Sequence, residues 1–165
     1  NGFISRRTLL EVSYKDQTDL CLNDVVVNKG ALARMIELQI SINGQEVTRL
    51  KGDGIILSSP TGSTAYSLSA GGPIVHPAVE TIVLTPICPH TLSFRPLLIP
   101  AISNIKLKLL TPQEPVYITI DGQRGQALDK NEIIEIKKSA RELKLVTSPW
   151  RSYYSLVKEK LGWAE

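Results

Sequence analysis

Apolar and polar positions in this chain alternate with a period of two. Ile36, Leu38, Ile40 and Ile42 alternate with Glu37, Gln39, Ser41 and Asn43, which predicts a strand with one buried and one wet face. Asn43-Gly44 follows, the dipeptide that best suits a two-residue hairpin, and Gln45 to Leu50 reads as the returning strand. The same alternation predicts strands at Leu10–Tyr14, Ile105–Leu109 and Val116–Ile120, the last ending on the turn dipeptide Asp121-Gly122. Short apolar runs predict strands at Cys21–Val27, Ile55–Leu57 and Thr81–Leu84, and two further strands at Ile133–Ile136 and Leu143–Val146. Lys15 to Asp19 reads as a polar turn, and the prolines 86, 89, 96 and 100 mark a connection.

Helical spacing is rare. Tyr153, Leu156, Val157 and Leu161 share one helical face, with Gly162 as the stop, so a C-terminal helix is expected over 153–161. A short helix from about Ala65 to Ala70 is expected between the turn Thr61-Gly62-Ser63-Thr64 and the stop Gly71-Gly72-Pro73. Many short strands with no βαβ alternation exclude a doubly wound parallel sheet. The expected fold is mainly β, a stacked-sheet, sandwich-like domain with these two helices.

The stretch from Asp53 to Ile74 (DGIILSSPTGSTAYSLSAGGPI) is chemically the densest. Four small residues, three of them hydroxylated, precede the short helix. They read as its caps, or as a site for a phosphate, ribose or amide at free backbone N–H groups. It is not a Walker loop, because no Lys lies near it.

Composition narrows the classes. The 165 residues suit one domain, 42% hydrophobic and 21% charged, with a net charge of +3. No basic arm and only 5% aromatic residues speak against nucleic acid. Cys21 and Cys88 are isolated thiols, and His76 and His90 have no ligand spacing, so neither a disulfide nor a metal site is indicated. No transmembrane run or leader is evident, and a cytoplasmic location is the expectation.

The segment TGSTAYSLSAGGPI (Thr61–Ile74) closely resembles the signature of the NAD kinase family. LNDVVVNKG (Leu22–Gly30), PHTLSFRPL (Pro89–Leu97) and KLGW (Lys160–Trp163) match the same family in the same order. The resemblance covers nearly the whole chain but only the C-terminal part of the usual enzyme. It implies a mostly β NAD-binding domain, with residues 1–9 leading in from an N-terminal α/β domain that carries a GGDG motif and its catalytic Asp. Gly52-Asp53-Gly54 is not that motif, since it precedes a strand in a β context.

The resemblance places Asn23 and Asp24 on NAD, where most members have Asn-Glu. It adds Arg34, Lys51 and Asp53 as further dinucleotide contacts, and Thr64, Ala65, Tyr66, Ser67 and Ser69 around the nucleoside parts. Gln123 is implied as a polar contact from a neighbouring turn. The implied reaction is phosphoryl transfer from ATP or polyphosphate to the adenosine 2′-hydroxyl of NAD, giving NADP. A divalent metal such as Mg would accompany ATP in the full-length enzyme. This chain would bind no metal itself, would supply positioning and oligomer contacts, and would be inactive alone. Family members are homodimers or homotetramers, and Asp53 would act across an interface. Other readings of the same residues are a stand-alone NAD or NADP sensor, a lipid kinase of the same superfamily, and a structural interaction domain.

Overall fold

The computed structural model describes residues 3–110 and 115–163. Twelve strands and two helices follow one another: β1 (Phe3–Tyr14), β2 (Gln17–Cys21), β3 (Asp24–Lys29), β4 (Ile36–Ile42), β5 (Gln45–Gly52), β6 (Gly54–Ser58), α1 (Tyr66–Ser69), β7 (Thr81–Ile87), β8 (Leu97–Pro100), β9 (Ile105–Leu109), β10 (Val116–Ile120), β11 (Arg124–Leu128), β12 (Ile133–Thr147) and α2 (Tyr153–Leu161). They form two antiparallel six-stranded sheets, ordered β2-β1-β12-β9-β4-β5 and β11-β10-β3-β6-β7-β8. Their inner faces share one apolar core, with Leu38, Ile40, Ile105 and Leu107 from the first sheet and Val25, Val27, Ile55, Leu57 and Ile82 from the second. The mainly β, stacked-sheet expectation and the C-terminal helix are borne out.

Three tight turns set the strand registers. Lys15-Asp16, Asn43-Gly44 and Asp121-Gly122 all have both residues at positive φ, the geometry that matches the strand twist; the first two are two-residue hairpins, and at the third Gln123 adds one more residue before the strands pair. The first of these corrects the expected polar turn over Lys15–Asp19: only two residues turn, and Gln17–Cys21 returns as β2. The strand expected over Cys21–Val27 is therefore two strands in different sheets, broken at Leu22-Asn23. That corner is where the chain crosses from one layer to the other.

Other strands differ in extent. β1 begins at Phe3 rather than Leu10, so most of the lead-in segment 1–9 is strand, paired antiparallel with the far half of β12. The two strands expected near the C-terminus are one, running from Ile133 to Thr147. At this shared end the alternation fades because both faces are wet; Phe3, Ile4 and Val146 are exposed. β8 and β11 had no alternation to announce them. β8 is a four-residue edge strand inside the proline-rich connection, held through its pairing with β7.

The second sheet also buries the middle of its outer face. Val26, Ile56 and Val83 point away from the shared core yet are 4% exposed or less. The segment from Thr61 to Val75 lies across them, anchored by a buried Ser67–Thr85 hydroxyl pair at 2.8 Å. Its fit is close: a Cβ at Gly62 would lie 1.9 Å from the Asn23 carbonyl oxygen, so only glycine is accommodated.

Candidate functional site

The β2–β3 corner, the outer faces of β3 and β10, the Asp121-Gly122 turn and the start of α1 enclose a cleft of about 340 Å³. Its lining includes Asn23, Asp24, Asn28, Ala65, Tyr66 and Asp121. That volume is at the lower end for small-molecule sites and suits a nucleoside rather than a whole dinucleotide.

Local chemistry explains the corner. Where the chain changes sheets, the N–H groups of Leu22, Asn23 and Asp24 have no ladder partner. The Asp121 carboxylate accepts all three, at 2.9, 2.6 and 3.2 Å, and takes the Cys21 thiol at 3.3 Å. In return the Asp121 N–H donates to the Asp24 carbonyl at 3.0 Å. Burial and the nearby Asp121 carboxylate raise the Cys21 thiol well above its usual range, so it stays protonated.

Asp24 is the buried carboxyl of the cleft, 5% exposed. Burial first, then repulsion from Asp121, push its pKa up to about 6, while the Tyr66 backbone N–H opposes the shift. At neutral pH it is mostly ionised and acceptor-only, the state that paired hydroxyl donors favour.

The hydroxyls of the TGST turn do not cap α1, contrary to expectation. A 3-10 turn over Gly62–Thr64 precedes the helix, and Ala65 stands at its start without a side-chain cap. The hydroxyls tie the loop to itself and to its neighbours instead. Ser63 Oγ donates to the Pro60 carbonyl at 2.7 Å and accepts the Val75 N–H at 3.0 Å. Ser59 Oγ donates to the Leu22 carbonyl and accepts the Gly62 N–H at 3.2 Å. The expected stop is present: Gly71 ends the helix at φ +88°.

Four of the residues singled out from the sequence meet in the cleft: Asn23, Asp24, Ala65 and Tyr66. Thr64 faces a neighbouring cavity shared with Arg7, Pro60 and Thr61. Ser67 is buried against Thr85, and Ser69 is exposed on the outer side of α1. Gln123 lies in a separate groove with Thr18, Asp19 and Arg141. Asp53 and Lys51 sit near the other end of β3. Asp53 pairs with Lys29 at 3.8 Å, Lys51 with Glu37 at 3.8 Å, and Arg34 is exposed on the connector before β4. Asn28, which pairs with Gly54 beside Asp53, links this group to the cleft. Sequence reasoning missed Asn28, Thr119 and the part played by Asp121. A polar residue in an otherwise apolar strand was the available signal for Asn28; for Asp121 the turn dipeptide concealed it. Among the described residues no three His, Cys, Asp or Glu side chains gather as a metal-ligand set, and no helix is long and apolar enough to cross a membrane.

Comparison with known proteins identifies relatives of this chain and of its fold. The family model of the ATP-NAD kinase C-terminal domain matches residues 22–148. The NAD kinase of Magnetococcus marinus is 52% identical over 144 residues, 87% of this chain and 48% of that protein. The NAD kinase of Citrifermentans bemidjiense is 46% identical over 168 residues, 98% of this chain and 58% of that protein. Among solved structures, yeast NADH kinase complexed with NADH superimposes with a TM-score of 0.93 at 36% identity, covering 99% of this chain and 50% of that one. An NAD kinase from Archaeoglobus fulgidus in complex with ATP gives 0.78 at 29% identity, covering 88% and 56%. The chain spans about half the length of the curated relatives it matches. With two stacked sheets, the TGST segment laid across one of them and this family match over most of its length, the chain belongs to the ATP-NAD kinase C-terminal domain family.

Proposed function

We propose that this chain is the NAD-binding domain of an NAD kinase, which transfers a phosphoryl group from ATP or polyphosphate to the adenosine 2′-hydroxyl of NAD. The observation that carries the reading is the buried, mostly ionised Asp24 beside Asn23, facing Tyr66 across a nucleoside-sized cleft. A carboxylate accepts two hydroxyl donors at once, which matches a ribose diol. The Tyr66 ring, 45% exposed at the cleft wall, offers a flat apolar surface to a base or ribose. Lys51 and Arg34 supply the positive charge for a pyrophosphate at the far end of β3. The yeast relative complexed with NADH and the archaeal relative complexed with ATP support this assignment of ligands.

The chain's own contribution is positioning. Among the described residues no three His, Cys, Asp or Glu side chains gather to hold a divalent ion. On this proposal Mg accompanies ATP, the catalytic base comes from outside this chain, and a homodimer or homotetramer in the cytoplasm is the working state. Calorimetric titration with NAD and NADP, with AMP as control, tests the reading. Dinucleotide binding that is lost in Asn23→Ala and Tyr66→Ala is the expected result. A folded chain that binds neither dinucleotide overturns it.

A further inference from the structure

Three consecutive backbone N–H groups converging on one point form a socket for an anion, the arrangement by which many proteins hold a phosphate or carboxylate ligand. At Leu22, Asn23 and Asp24 that socket is filled from within, by the Asp121 side chain. Asp121 stands at φ +49° in the three-residue turn Asp121–Gln123, and its own N–H bonds back to the Asp24 carbonyl. The corner and the turn are thus tied in both directions, 97 residues apart in sequence. Charge-assisted bonds of this kind are about twice as strong as neutral ones. They fix the two residues whose side chains line the cleft.

We infer that Asp121 is the positioning residue of this site: its carboxylate holds the Asn23-Asp24 backbone at the mouth of the cleft, and its charge repels that of Asp24. The inference rests on the NAD-binding reading only for the choice of ligand. The groups that face Asp24 are Asp121 from the β10–β11 turn, the protonated Cys21 thiol from the end of β2, and the Tyr66 backbone N–H from α1. Asp121 is the one charged group among them. Its two effects are opposed: it places the acceptor pair, and it makes Asp24 harder to ionise. Ligand affinity therefore falls as pH drops through about 6, the value to which Asp24 is raised.

The variant Asp121→Asn separates the two effects. It keeps Oδ1, which accepts from Asn23 and Asp24, and it replaces the Oδ2 acceptor of Leu22 with an NH₂. NAD affinity at pH 8 should fall about tenfold, from the weakened charged bonds. The pH midpoint of binding should move below that of the wild type, because the repelling charge is gone. Asp121→Ala should lose more affinity at pH 8. A purely structural role lowers stability and leaves the midpoint in place. Unchanged affinity at pH 8, or an unmoved midpoint in D121N, overturns the inference. Carbon-13 NMR titration of the Asp24 carboxyl decides it independently of NAD. A wild-type midpoint at the ordinary carboxylate value overturns it, and one near 6 that falls in D121N sustains it. If D121N does not fold, the same comparison of midpoints between wild type and Asp121→Ala decides. If the wild type titrates as expected but binds no NAD, the fault lies with the proposed ligand and not with Asp121.

Discussion

The two sheets of this protein solve different problems. The first follows the simple rule of one dry and one wet face. Its outer face carries oppositely charged residues directly across neighbouring strands: Glu37 with Lys51, Lys106 with Glu135, and Glu11 with Lys137. Their ion pairs span 3.8, 3.7 and 3.1 Å at partly exposed positions, where each is worth little in stability but favours one register over another. The second sheet is buried on both faces at its centre, because the TGST segment lies over it. Its outer face holds buried polar groups, among them Asp24 and Thr85, whose hydroxyl pairs with that of Ser67. The candidate site lies in the second sheet, where the Asp24 carboxyl is kept out of water.

The comparison can be broken from either side. In the first sheet, Leu107→Ala removes a fully buried side chain and should cost about 2–5 kcal/mol, read by urea unfolding. NAD affinity of the folded fraction should not change. A specific loss of affinity would mean that the two layers are not as separate as described.

In the second sheet, Asp24→Asn should act in the opposite sense. The folded state holds the Asp24 proton up to about pH 6, the unfolded chain only to about 3.8. Stability from this group is therefore full below 3.8, falls as pH rises towards 6, and is flat above. Removing the charge should recover on the order of 3 kcal/mol at pH 8 and little at pH 3.5, while NAD binding weakens. Thermal unfolding across this range is the measurement. A D24N variant that is destabilised at pH 8 would show that the carboxylate is better accommodated than its burial implies.

The smallest effect is expected within the covering segment. Ser63→Ala removes the acceptor of the Val75 N–H, a loss of about 1–3 kcal/mol with a modest fall in affinity as α1 loosens. Hydrogen exchange at Val75 should rise in the same variant. Unaltered protection there would mean that the loop is held by its other contacts.

Much of the architecture was legible because alternation is a direct imprint of a half-buried strand. Ile36–Ile42 and Ile105–Leu109 appear where their patterns place them. The hairpin at Asn43-Gly44 was legible because few residues tolerate positive φ in succession. β8 and the outer half of β1 were not, since edge and doubly exposed strands have no dry face to leave a pattern. Asn23, Asp24, Ala65 and Tyr66 were found through the family signature, and no periodicity marks them. Their neighbours Thr64, Ser67 and Ser69 share that signature but face a second cavity, the sheet and the solvent. A motif records which residues occur together and not which way each side chain turns.

The sequence by itself determined a two-layer β domain, its hairpins, its C-terminal helix and its family, since burial periodicity and turn chemistry are local properties. Only the tertiary structure decided that the chain changes sheets at Leu22-Asn23 and that the TGST hydroxyls bind the loop rather than cap the helix. It also decided that Asp121 reaches back across nearly a hundred residues to hold the corner. The reason is physical: an unpaired backbone amide must find an acceptor, and which acceptor stands within 3 Å depends on how the sheets stack.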